Sequence, residues 1–112
     1  NDTLAAIVAE SVKADLLILL SDIDGLYTAD PRNDPNAQLL HKITKLDDSV
    51  LALAGGSGTK RGTGGMVTKL QAAKICMGCG CDMVIANGNN SNNLYDILDG
   101  KDIGTRFTEV QK

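Results

Sequence analysis

Aromatic side chains are almost missing from this chain: Tyr27, Tyr95 and Phe107 are all it has, and tryptophan is absent. With so few ring faces and a net charge of -3, it carries neither the stacking platform nor the basic footprint of a nucleic-acid binder. Long apolar runs are missing as well. Nothing approaches the roughly 18 consecutive apolar residues of a membrane span, so no membrane partner is expected. The N-terminus shows no basic region followed by an apolar stretch, which argues against a signal peptide and for a cytoplasmic protein. A small polar ligand is the partner these absences leave.

Histidine occurs once, His41 in QLLHKI, and a lone histidine there reads as structural or exposed. The three cysteines form C-x2-C-x-C at Cys76, Cys79 and Cys81. With no histidine nearby they lack the usual fourth zinc ligand, so reduced thiols packed near a helix end are expected.

What is present suits one globular domain: 112 residues, 43% hydrophobic and 22% charged. The chain opens at Asn1 rather than Met, with NDTLAAI already reading as helix entry, so part of a longer protein is expected. Asp2 or Thr3 can cap a helix running through Ala14, because short side-chain oxygens satisfy the free amides of a first turn. LLILL, Leu16 to Leu20, then reads as a strand buried on both faces, as in a parallel sheet covered by helices.

Residues 22–37, DIDGLYTADPRNDPNA, form a long excursion holding both prolines, Pro31 and Pro35. Loops of this length are commonly functional. QLLHKI suits a short edge strand. DDSVLALAG suits a helix capped by Asp47 or Asp48 and stopped at Gly55 and Gly56. A helix from about Gly65 to Met77 precedes a second buried strand, DMVIAN, and NLYDILDG is a short helix ending at Gly100. There is no internal repeat, and the Asn-rich turn at 87–93 is the nearest thing to low complexity. Strand and helix alternate at βαβ spacing, so the expected fold is α/β, a three-layer α/β/α sandwich around a largely parallel sheet.

The segment RGTGGMVTKLQAAK, Arg61 to Lys74, carries the sharpest chemical signal. It fits neither the Walker loop nor the G-x-G-x-x-G dinucleotide turn. Glycines opening a helix nevertheless let backbone amides approach an anion, and the helix N-terminus adds partial positive charge. Lys69 sharpens this: at about 100° per residue from Val67 it falls near ~200°, inside the small and apolar arc from about 140° to 300°. A solvated lysine belongs on the other face. It either reaches back over the glycine turn toward a bound phosphate or snorkels past the core.

Ser21, Asp22 and Asp24 follow directly on a strand, where ligands gather in open parallel sheets; an ordinary acidic turn is the alternative. Asp2 is a helix cap by default, but its carboxylate could also fix lysine ammonium groups beside a phosphoryl group.

NDTLAA, ADLLILLSDIDGLYTADPR, GTGGMVTKLQAA and DMVIANG, in this order and spacing, closely resemble the C-terminal part of the amino acid kinase domain in the glutamate 5-kinase family. The resemblance covers essentially the whole chain. It implies transfer of the γ-phosphoryl group of ATP to the side-chain carboxylate of L-glutamate, with Mg²⁺ as counter-ion, the first step of proline biosynthesis. It places nucleotide contacts on Ser21 and Asp22, and on Thr63, Gly64, Gly65, Met66, Val67, Thr68 and Lys69. It places the glutamate-binding asparagine on Asn1, the aspartate that organises the catalytic lysines on Asp2, and the transition-state lysine of this half on Lys69.

By the same resemblance, residues 1–112 correspond to the ATP-binding portion, without the N-terminal half or the PUA domain of many bacterial members. Nucleotide binding without turnover is then expected of this polypeptide alone. Proline is a possible feedback inhibitor through the family, and exposed helical faces with a truncated sheet favour a homo-oligomer. Two alternatives stand: a non-catalytic nucleotide-binding module, and, from the tail GTRFTEV, the kinase portion of a bifunctional pyrroline-5-carboxylate synthase.

Overall fold

The computed structural model describes residues 2–29, 33–55 and 65–109. Eight elements follow in chain order: α1 (Asp2–Ser11), β1 (Leu16–Ser21), β2 (Lys42–Ile43), α2 (Asp48–Gly55), α3 (Gly65–Gly78), β3 (Asp82–Asn87), α4 (Asn92–Leu98) and β4 (Thr105–Phe107). The four strands form one sheet in the order β1-β3-β4-β2. β1 and β3 run parallel, as do β2 and β4, while β3 and β4 are antiparallel. The mostly parallel α/β sheet expected from the alternation is thus present, with one antiparallel junction.

Helices cover both faces. On one side α1 and α3 bury Ala6, Ala9, Leu70, Ala72, Ala73 and Cys76 against Leu19, Met83, Ile85 and Phe107. On the other, Ile97 of α4 packs with Val84 and Ala86. DMVIAN therefore has apolar residues on both faces, which is why it reads as a continuous run rather than an alternation. Four of its six positions are buried.

LLILL differs from its expectation. β1 occupies a sheet edge among the described residues, and only Leu19 is buried along it, whereas Leu20 is 52% exposed. The adjoining face of α1 is also open, with Leu4 at 57% and Val8 at 52%. A shallow apolar groove lined by Leu4, Val8, Leu16 and Leu17 runs between them.

The helix ends explain the short connections into the strands. α1 stops at Ser11 rather than Ala14, because Lys13 adopts a left-handed φ of 57° and the Ala14 N–H turns back to the Ala9 carbonyl at 2.9 Å. α3 ends similarly at Gly78, the chain turning at Gly80, φ 81°, with the Cys81 N–H donating to the Cys76 carbonyl at 2.8 Å. The two strands then start in register, and the Asp82 N–H donates to the Asp15 carbonyl at 3.0 Å. Among the described residues no helix is long and apolar enough to cross a membrane.

Among the described residues, the two arms of the excursion after β1 lie against each other. Tyr27 and Leu39 form an antiparallel bridge, flanked by bonds from Leu40 N–H to the Leu26 carbonyl (2.8 Å) and from Thr28 N–H to the Gln38 carbonyl (2.9 Å). Asp47 caps α2, its carboxylate accepting the Val50 N–H at 3.1 Å. β4 has no counterpart in the sequence reading. Phe107, fully buried, anchors it beneath α3.

Candidate active site

Topology sets the position of the site. α1 leads into β1 and α3 into β3 through tight turns, so each helix runs antiparallel to its strand and starts level with the strand's carboxyl end. The lengths agree: the 14 residues of α3 rise about 21 Å, and the six of β3 about 20 Å. The N-termini of α1 and α3 therefore share one end of the sheet with Ser21, Asp22 and Asn87, the end where ligands of open α/β sheets bind.

The helix interface brings Asp2 and Lys69 together. Asp2, Ala6 and Ala9 lie on one face of α1, and Lys69, Ala72, Ala73 and Cys76 on one face of α3, at spacings of three, four and seven residues. The alanines are buried and small, so the helices pack closely. Their first rungs then meet: Lys69 Nζ donates to Asp2 Oδ2 at 3.1 Å, with side-chain exposures of 15% and 24%. The lysine inside the apolar arc does not snorkel past the core; it ends on a carboxylate. Thr68 Oγ1 donates to the Gly65 carbonyl at 3.0 Å and lies 3.4 Å from the same Asp2 oxygen.

Asp2 is well placed electrostatically. A carboxylate at the N-terminal end of α1 meets the positive end of that helix as well as the ammonium group. The N-terminus of α3 keeps its own partial positive charge, with Lys69 one turn inside it. Gly65 opens this helix, and a Cβ there would meet nothing within 4 Å. Packing among the described residues does not demand a glycine at that position.

Across the same end, Ser21 closes β1 and pairs in register with Asn87 of β3. Its hydroxyl makes two long contacts of 3.4 Å, to Asp22 Oδ1 and from the Ile23 N–H, and Asp22 is exposed. Asp24 is otherwise engaged: it accepts Asn87 Nδ2 and the Tyr27 hydroxyl, each at 3.1 Å. It fastens the excursion to the end of β3. Partial burial and the bond to Asp24 both raise the Tyr27 pKa, keeping the phenol protonated.

Met66 is partly buried against the core and Val67 is exposed at 38%. Asn1, Thr63 and Gly64 lie outside the described residues, as do Arg61 and Gly62. Among the described residues no group of three or more histidine, cysteine, aspartate or glutamate side chains could hold a metal ion, the three cysteines included.

Sequence reasoning missed Thr105 and Asn87. Thr105, fully buried, accepts the Leu26 N–H at 2.9 Å and donates to the Leu40 carbonyl at 2.5 Å, holding both arms of the excursion. Gly25 lies so close that a Cβ would come within 2.5 Å of the Thr105 hydroxyl. Thr105 stands among Asp102, Arg106, Thr108 and Glu109, so nothing in the sequence marks it as buried.

The chain is 52% identical over all 112 residues to a glutamate 5-kinase of Thermoanaerobacter sp. (strain X514), of which it spans 30%. It spans 30 to 42% of the length of the curated relatives it matches. Among solved structures, uridylate kinase from Archaeoglobus fulgidus superposes with a TM-score of 0.71 at 28% identity, covering 96% of this chain and 46% of that one. Carbamate kinase from Giardia lamblia bound to AMP-PNP gives 0.69 at 26% identity, covering 97% and 35%. The model of the amino acid kinase family matches residues 1–87, both halves of the Asp2–Lys69 pair included, and the chain belongs to that family.

Proposed function

We propose that this chain is the nucleotide-binding portion of a glutamate 5-kinase, which transfers the γ-phosphoryl group of ATP to the side-chain carboxylate of L-glutamate and yields L-glutamyl 5-phosphate, the first step of proline biosynthesis. The observation that carries this reading is the Lys69–Asp2 pair at the start of α3, with an open glycine one turn away. The identity to glutamate 5-kinases across the whole chain supports the choice of acceptor.

Phosphoryl transfer asks a protein chiefly for positioning and charge compensation. The glutamate carboxylate is already ionised, so no general base is needed. What opposes the reaction is the approach of two anions. In this reading Lys69 stabilises the charge that develops on the transferred phosphoryl oxygens, and Asp2 holds its ammonium group in place. The amides from Gly65 to Thr68 cradle phosphate, together with Thr63 and Gly64 before them. Ser21 and Asp22 meet the nucleotide from the end of β1, and Asn1 binds L-glutamate.

Mg²⁺ would enter with the nucleotide and supply charge screening at the phosphates. Among the described residues no cluster of side chains would hold it alone, which suits an ion that keeps several waters and is held mainly by substrate phosphates. Self-association is proposed through the open apolar face of α1.

Titration calorimetry with AMP-PNP and Mg²⁺ tests the reading. We expect binding by this chain, weakened about tenfold or more in Lys69→Ala, and no ADP formation from ATP with L-glutamate. Unchanged affinity in Lys69→Ala would overturn the phosphate role. Turnover by this polypeptide would overturn the division of labour. A non-catalytic nucleotide-binding module shares the same residues, and the length of the native open reading frame separates the two.

A further inference from the structure

Three thiols share one turn at the opposite end of α3 from the phosphate-facing lysine. The helix closes with two bonds, Cys81 N–H to the Cys76 carbonyl at 2.8 Å and Gly80 N–H to the Met77 carbonyl at 3.4 Å, around the left-handed Gly80. This closure sets the residue just beyond the glycine beside a residue of the last helical turn, a pair that is commonly apolar. Here both are cysteines. Cys76 is fully buried and Cys81 is 1% exposed, both in the same core cluster, and the Cys81 thiol donates to the Asp82 carbonyl at 3.4 Å. Cys79, between them in sequence, is exposed, and its thiol donates to the Cys76 carbonyl at 3.3 Å.

We propose that Cys76 and Cys81 form a reversible disulfide that fastens the end of α3 to the start of β3, with Cys79 as the solvent-side thiol that accepts oxidising equivalents from a small-molecule disulfide such as oxidised glutathione. No residue of the phosphoryl-transfer reading takes part.

The order of events follows from access. Burial pushes the Cys76 thiol up to about 12, and burial also raises Cys81, so neither buried thiol is a ready nucleophile for a dissolved oxidant. Cys79 attacks one sulfur of glutathione disulfide; that S–S bond breaks, and one glutathione thiolate leaves and takes a proton. The Cys81 sulfur then displaces the second glutathione from Cys79, its proton passing to the departing glutathione thiolate, and a transient Cys79–Cys81 bridge results.

Two cysteines one residue apart make a constrained bridge, and constrained disulfides are the labile ones. Cys76 attacks the Cys81 sulfur and passes its proton to the departing Cys79. The balance is two protein thiols oxidised and one glutathione disulfide reduced to two thiols, with two hydrogens lost from the protein.

The test incubates the whole chain with oxidised glutathione, alkylates the remaining thiols and maps the linkage by tandem mass spectrometry of the unreduced peptide. A Cys76–Cys81 link with Cys79 alkylated is expected. Cys79→Ala should form it about tenfold or more slowly. Cys81→Ser, checked for folding by circular dichroism, should form no such link and keep its oxidised sulfur on Cys79. The proposal is overturned if the wild-type chain keeps three free thiols or ends as a stable glutathione adduct on Cys79. It is also overturned if Cys79→Ala closes the bridge as fast as wild type.

Discussion

The ammonium group of Lys69 sits 3.1 Å from the carboxylate of Asp2, across 67 residues of chain, because both are the first rungs of two helix faces whose next rungs are alanines. Asp2→Ala leaves a mostly buried ammonium unpaired and should cost about 1–3 kcal/mol. Lys69→Met should cost less, since a flexible thioether suits the apolar arc and Asp2 retains access to water. The double variant should then recover about 1 kcal/mol relative to the sum of the single ones. Urea unfolding of the four proteins measures this, and additive losses would mean that the pair contributes nothing to stability.

The sequence made some of this visible and hid the rest for physical reasons. DMVIAN is identified by its unbroken apolar run and α3 by the length of its pattern, and Lys69 stood out because it broke that pattern. Its partner was harder to see. A carboxylate at a helix start already has a sufficient local explanation as a cap, so only tertiary packing distinguishes the Asp2 that meets a lysine. β4 was invisible because three residues carry no period; Thr105 and Phe107 are a strand only through β3 and β2 on either side. LLILL misled in the other direction, since composition reports apolarity and not whether a neighbouring strand covers the edge.

Thr105 ties the excursion after β1 to the sheet with one hydroxyl that both accepts and donates. Thr105→Val keeps the shape and removes both bonds, leaving the buried Leu26 N–H and Leu40 carbonyl unpaired. A loss of about 2–4 kcal/mol is expected from two such groups. Amide exchange at Leu26 and Thr28 should accelerate well beyond the global change, because the two arms of the excursion come free together. Thr105→Ser should retain most of the protection, which separates the hydroxyl's role from the methyl group's.

Asp47 gives the fold an acid-sensitive helix start. Hydrogen bonds from the Ser49 hydroxyl (2.6 Å) and the Val50 N–H hold its carboxyl below the ordinary value of 3.8. A depressed folded pKa contributes stability above the unfolded value and loses it as pH falls through the folded one. Wild type should therefore have a higher urea midpoint than Asp47→Ala at about pH 6. The gap should narrow below 3.8 as the carboxyl protonates; a gap that stays constant into strong acid would rule out the carboxylate as its source.

The end of α1 holds a strain that substitution can release. Lys13 is an exposed residue with φ 57°, the conformation that lets the Ala14 N–H reach the Ala9 carbonyl and turns the chain into β1. A side chain in the left-handed region costs about 1–2 kcal/mol, whereas glycine reaches it without a Cβ clash but gives up more unfolded-chain entropy. Lys13→Gly should therefore stabilise by about 0.5–1 kcal/mol, with an unchanged urea m-value because no core contact is altered. Lys13→Ala keeps the Cβ and should gain nothing. If both variants moved the midpoint equally, the effect would belong to the loss of the lysine charge and not to the backbone.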